Sequence, residues 1–153
     1  MATATLKRKL KSELPEGIVN DEAKLNESFE VGDVSHQGDL ILVRIASLPK
    51  SAKPRASRQL ADGNTQGSRH VISRKAKCFD ADATEVSMLI ASANGCKVDA
   101  RYVGPLFVSP SKPTANDLDH PEHGNQGFPA GAVIACVYQR SLDSEEREQR
   151  VLD

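Results

Sequence analysis

The chain contains no tryptophan, and aromatic residues make up only 4% of it. Its core must therefore be aliphatic, built from the Val, Ile, Leu and Ala that dominate a 39% hydrophobic content. The short basic cluster Lys7–Lys11 has no aromatic beside it on which bases could stack, which argues against a nucleic-acid site there. A formal net charge of −1 gives no global excess of either sign to draw in a polyanion. No run approaches the ~18–20 apolar residues of a membrane span. The basic start at Lys7–Lys11 lacks the apolar stretch of a secretory signal. Three cysteines, Cys78, Cys96 and Cys136, are odd in number, far apart and form no CxxC, which argues against a disulfide framework or a cysteine zinc site.

What is present falls into two parts. At 153 residues the chain has the size of one ordinary domain with a core of its own. Residues 1–35 differ from the rest and read as an N-terminal arm, with a β-rich globular domain over 36–153. In the arm, Leu6, Leu10 and Leu14 recur every four residues and line one face of a short helix, ringed by Lys7, Arg8, Lys9 and Lys11. Pro15 and Gly17 end that pattern, and an acidic stretch follows from Glu16 to Asp33. A segment this polar cannot bury a core alone, so it is expected to dock on another surface through its spaced apolar anchors.

From Gln37-Gly38-Asp39 onward the pattern is β. Leu40–Ile45 reads as a buried strand, Arg69–Ser73 as a second, and Glu85–Ala93 with Cys96–Val103 as a hairpin around Asn94-Gly95. Gly104-Pro105 is expected to break that run before Leu106–Val108. Ala132–Tyr138, launched by Pro129-Ala130-Gly131, reads as a central buried strand. The stretch from Ser47 to Gly67 reads as a long loop. Asp143 and Glu146 resemble a capping box opening a short C-terminal helix. The fold class expected is mainly β: a small β-barrel or β-sandwich with an extended N-terminal arm and a short C-terminal helix.

Two features carry possible chemistry. Between Lys50 and Lys77 there are eight Lys or Arg against one acid, Asp62. A face this basic meets something acidic, whether another subunit, the chain's own arm or a polyanion, and Lys53, Arg55 and Arg58 are its candidate contacts. The second feature is the turn His120-Pro121-Glu122-His123. His120 precedes proline and so favours extended backbone, which excludes a helical HExxH motif. With His70 the two turn histidines could form a three-imidazole site for a divalent metal, in the manner of a cupin-like metal-binding protein or metalloenzyme. No GxSxG and no phosphate-cradling P-loop is present, so no catalytic residue and no organic cofactor is assigned.

The segments Gln37-Gly38-Asp39-Leu40-Ile41-Leu42, Gly67-Ser68-Arg69-His70, the His-Pro-Glu-His turn and Pro129-Ala130-Gly131 leading to Val137-Tyr138-Gln139-Arg140 resemble a family of small uncharacterised bacterial and phage proteins. The resemblance covers most of residues 37–152. It implies a histidine two positions before His70, where Ser68 stands, and it implies no activity. The reading that unites these features is a non-enzymatic assembly protein. It homo-oligomerises, or docks through its arm (Leu6, Leu10, Leu14) on a larger capsid-like lattice, as a phage capsid decoration protein would. Its place would be the cytoplasm or a virion, with neither a membrane nor nucleic acid as partner.

Overall fold

Leu40–Ile45 alternates its side chains between two buried faces, which is why LILVRI contains only one charge. Leu40 and Leu42 enter one apolar cluster, and Val43 and Ile45 enter another on the opposite side of the strand. A strand covered on both faces has no solvated side, so its sequence is nearly continuous in apolar residues rather than alternating. The computed structural model describes residues 23–61, 70–120, 124–142 and 148–150.

In chain order the strands are β1 (Lys24–Leu25), β2 (Val34–Gln37), β3 (Leu40–Ile45), β4 (Lys53–Pro54), β5 (Gln59–Ala61), β6 (His70–Ile72) and β7 (Lys77–Asp80). Helix α1 (Ala83–Asn94) and a 3-10 turn (Ala100–Tyr102) follow. The chain continues with β8 (Val103–Val108), β9 (Leu118–Asp119), β10 (Gln126–Gly127), β11 (Val133–Tyr138), β12 (Arg140–Leu142) and β13 (Glu148–Arg150). One sheet runs β2-β3-β11-β8-β7-β4, a second runs β1-β10-β9-β6-β5, and β12-β13 pair separately. Neither large sheet closes on itself, so the architecture is a sandwich and not a barrel. Leu60, Ile72 and Leu118 of the smaller sheet meet Leu42, Phe107, Ile134 and Cys136 of the larger one in one core. On the outer face of the larger sheet, Val86 and Ile90 of α1 cover Val43, Ile45, Leu106 and Ala135. The expected strand at Ala132–Tyr138 is indeed central: β11 pairs with β3 on one side and β8 on the other.

Several sequence expectations are corrected. Glu85–Ala93 is not half of a hairpin but the body of α1. Asp82 caps its start, its carboxylate accepting the Thr84 N–H at 3.1 Å. The Asn94-Gly95 pair, read as a hairpin turn, instead ends the helix. Gly95 adopts φ +77° and its N–H donates to the Ala91 carbonyl, a left-handed cap that glycine accommodates without a Cβ clash. Gly104-Pro105 does not interrupt β8. The register against β11 shifts between Ala135 and Val137, and this bulge absorbs the proline that cannot donate to the ladder. A Cβ on Gly104 would lie 2.8 Å from the Tyr138 ring, so glycine there also lets that ring close over the strand. The stretch after Ser47 is no bare loop, since it contains β4 and β5. Within the stretch expected to form a C-terminal helix, the described residues 140–142 and 148–150 pair instead as antiparallel strands β12 and β13, with Leu142 in register with Glu148. Strand pairing overrides a helix propensity that is only a weak prior.

The arm boundary also moves. β1 pairs in parallel with β10, Phe29 is only 7% exposed, and the Arg44 guanidinium donates to the Phe29 carbonyl at 2.6 Å. Residues 24–35 therefore belong to the sandwich. Leu6, Leu10 and Leu14 lie outside the described residues.

Candidate functional site

The inward face of the smaller sheet ends in two histidines. β6 and β9 are antiparallel with Val71 opposite Asp119 and Ile72 opposite Leu118. Continuing that register sets His70 opposite His120. Both rings point into the sandwich, with His70 1% and His120 3% exposed. Their centroids are 4.4 Å apart and the ring planes are tilted by 49°.

Gln37, 1% exposed at the end of β2, locks this pair from the other sheet. The β2–β3 hairpin turns at Gly38 (φ +59°), and alternation along β2 sends Ser35 and Gln37 inward. The Gln37 amide nitrogen donates to the Leu118 carbonyl at 3.1 Å and the Gly124 carbonyl at 3.0 Å. Both partners are acceptors only, so the amide orientation is fixed. Its oxygen, 2.8 Å from His70 Nδ1, must then accept a hydrogen bond from an N–H at that nitrogen. In the neutral ring this puts the lone pair on Nε2. The His120 backbone N–H donates to Asn125 Oδ1 at 3.1 Å, holding the residue where the chain leaves β9. Sequence reasoning singled out His70 and His120 but missed Gln37. Its one signal was a polar residue two positions after Ser35, on the inward side of a hairpin.

Of the proposed three-imidazole set, the structure brings together His70 and His120, while His123 lies outside the described residues. Among the described residues no group of three or more His, Cys, Asp or Glu side chains converges to hold a metal.

The basic stretch divides by role. Arg58 points at its own chain, donating from Nη1 to the Ser73 and Ala76 carbonyls, each at 2.7 Å, and so pins the turn between β6 and β7. Arg55 bridges Asp80 at 3.0 Å and donates to the Gln59 carbonyl. Two of the three candidate contact residues thus hold the fold. Lys53 is exposed on β4, as are Arg74, Lys75 and Lys77 on and before β7. Lys75 and Lys77 wall an open depression of about 550 Å³ with Ser109, Ser111 and Gly131, and Lys77 also borders a second of about 400 Å³ against Pro54 and Phe79. Beneath this edge, burial raises the Cys78 thiol pKa against the opposing pull of Arg58 and Arg55. No helix among the described residues is long and apolar enough to cross a membrane.

No curated protein and no solved structure matches the chain. Residues 36–138 match a family described as a domain of unknown function, DUF8820. The match begins at the hairpin that carries Gln37 and ends with the last residue of β11, so it takes in both histidines and the basic edge. The chain belongs to the DUF8820 family.

Proposed function

We propose that the protein is a non-enzymatic assembly module whose basic β4–β7 edge receives an acidic segment of a neighbouring copy. The observation that supports this is the placement of charge. Lys53, Lys75 and Lys77 stay exposed where Arg55 and Arg58 are engaged internally. They lie at the β4 end of the larger sheet, whereas β2 forms its other edge. Ser35 on β2 donates to Gln126 on β10 at 2.6 Å, which sets β1, the first described strand, on the β2 side. Five strand spacings, about 24 Å, separate the two edges.

A sequence that enters on one side of a sandwich, with its complementary surface on the other, favours head-to-tail contact between copies. Residues 13–22 carry Glu13, Glu16, Asp21 and Glu22 with no compensating Lys or Arg, and are the proposed occupant. The same edge would let the protein decorate a larger acidic lattice, in the manner of a capsid decoration protein, with the cytoplasm or a virion as its setting.

Light scattering across protein concentration and salt tests the proposal. The full chain should form oligomers at low ionic strength that dissociate as the Debye length falls from ~10 Å at 0.1 M to ~3 Å at 1 M. Lys53→Glu/Lys75→Glu/Lys77→Glu should lower the mass, and Glu13→Lys/Glu16→Lys in the same chain should restore it. A full-length chain that stays monomeric at low salt, or a triple variant with unchanged mass, would refute the proposal.

A further inference from the structure

The assembly reading uses the charge of Lys75 and Lys77 but not the hollow beside them. Lys77 opens β7 opposite Val108, the last residue of β8, and alternation along β7 sends Cys78 into the core and Lys77 to solvent. Lys75 lies in the preceding turn, where its N–H donates to Ser73 Oγ at 3.1 Å. The other wall consists of two turns tied together. The Ser109 N–H donates to the Ala132 carbonyl at 2.9 Å and the Gly131 N–H to the Ser109 carbonyl at 3.1 Å. The Ser109 hydroxyl donates to the Phe128 carbonyl at 2.8 Å. These bonds shape the depression of about 550 Å³ before anything enters it.

Its lining carries charge of one sign. Exposed Lys75, Lys77 and Ser111 border it, and among the described residues no Asp, Glu or His does. Neither lysine has a carboxylate partner among the described residues, where the ion pairs involve Arg55 and Arg101. Val108, Pro110 and Ala130 make the apolar part of the wall.

We propose that this depression binds a small organic phosphate monoester. Its phosphoryl group sits among Lys75, Lys77 and Ser111, and its organic body lies against Val108, Pro110 and Ala130. Two lysines match the two charges of a phosphate dianion, which lysine binds as a point charge. A carboxylate is better matched by the planar fork of arginine, and Arg55 and Arg58 nearby are committed to Asp80 and to backbone carbonyls. The volume falls within the ~300–1,000 Å³ usual for small-molecule sites, so a bare phosphate would leave the apolar wall uncovered. This site goes beyond the assembly role and does not depend on it. Where copies associate through the same edge, the monoester and the acidic segment compete for Lys75 and Lys77.

Phenyl phosphate is the probe, titrated into the isotope-labelled full chain and followed by amide chemical shifts. The shifts should saturate with one-to-one stoichiometry and centre on residues 74–77, 108–111 and 130–131. Affinity should rise as pH passes about 6, where a monoester gains its second charge. With no histidine among the lining residues, that rise reports the ligand's own titration. Inorganic phosphate, which lacks an organic body, and benzoate, which carries a single charge, should both bind more weakly. Lys75→Gln and Lys77→Gln should each weaken binding about 10-fold. Ala130→Trp should block the hollow while leaving both lysines in place. Lys53→Gln removes a charge from the assembly edge but none from the depression, so it should bind the probe as the parent does while assembling less; this separates failure of the site from failure of the assembly reading. All four positions are exposed, and the amide spectrum of each variant reports its fold. Shifts that spread without saturation over Lys53, Arg74, Lys97 and Lys112 would overturn the proposal. So would equal affinity for inorganic phosphate or benzoate, affinity that does not change with pH, or binding retained in a folded Lys75→Gln/Lys77→Gln or Ala130→Trp chain.

Discussion

Phe29 gives the sharpest test of where this domain begins. It lies N-terminal to the family match, in a stretch whose sequence reads as an acidic arm, yet its ring is nearly fully buried. It packs edge-on against Phe128 at 5.0 Å between centroids, and Phe128 in turn meets Phe107 at 5.7 Å. These are three of only four phenylalanines in the chain, so the aromatic part of the core depends on this contact. Truncation to alanine removes the buried ring and leaves a cavity between two sheets whose ladders restrict collapse. Phe→Ala substitutions in such settings cost about 3–5 kcal/mol. For a domain of this size that lowers the unfolding midpoint by roughly 6–20 °C. Thermal unfolding of full-length protein and Phe29→Ala, followed by circular dichroism, measures the loss. The same experiment on chains lacking residues 1–22 or 1–35 locates the boundary. The shorter deletion should leave the midpoint within about 2 °C, and the longer one should abolish cooperative unfolding, since it also removes β2 up to Ser35. A Phe29→Ala chain within about 1 kcal/mol of the parent would show that the segment merely rests on the domain, and the boundary would return to residue 36.

Three further outcomes follow from the same packing. Gly127→Ala should prevent recovery of folded protein, because its Cβ would lie 1.9 Å from the Thr114 carbonyl oxygen, a backbone atom that cannot swing away; a soluble variant with parental circular dichroism would refute this. Glu85 has a lowered pKa because the Ser51 hydroxyl and N–H, and then the Lys50 N–H, donate to its carboxylate. A depressed folded-state pKa contributes stability above the ordinary value of 4.5 and loses it as pH falls through the folded value. The stability gap between parent and Glu85→Gln should therefore be constant from pH 6 to 8 and shrink below 4.5; a gap unchanged at pH 3 would refute the link. Of the three thiols, Cys96 is exposed while burial raises both Cys78 and Cys136. A disulfide reagent at pH 8 should titrate one thiol quickly and the other two only on unfolding; three fast equivalents would contradict the packing.

The parts of this structure that were legible in the sequence are those set by local pattern. β3 and β11 are apolar on successive residues because each is covered on both faces, and both stand out without any knowledge of their partners. The Gln37-Gly38-Asp39-Leu40 turn was readable because two residues join paired strands there and Gly38 takes a positive φ. Misreadings arose where one local signal serves two structures. Asn94-Gly95 suits a hairpin turn and a helix C-terminus equally well, and the i, i+4 pair Val86 and Ile90 decides for the helix only once the sheet beneath is known. Phe29 was hidden by its acidic neighbours, because one anchor in a polar stretch has no period.

The histidine pair illustrates a different limit. β9 and β10 have two residues each and β6 has three, too few for alternation to announce a strand. Leu118, the β9 partner that Ile72 faces, lies 46 positions further along the chain, so turn geometry cannot specify the register between them. What specifies it is burial. In the observed register Ile72, Leu118, His70 and His120 all face the core, while exposed Val71 and Asp119 face outward. A slip of one residue on either strand would turn one histidine outward and bury a carboxylate or leave an aliphatic residue in water. The two aliphatic residues thus set the register, and the histidines are brought together as a consequence. This separates two roles that mutation can test. Ile72→Ser should cost stability and disturb both rings together. His70→Gln, in contrast, leaves Ile72 and Leu118 to hold the strands in place, so its effect should fall on the pair's own chemistry more than on the pairing of β6 with β9.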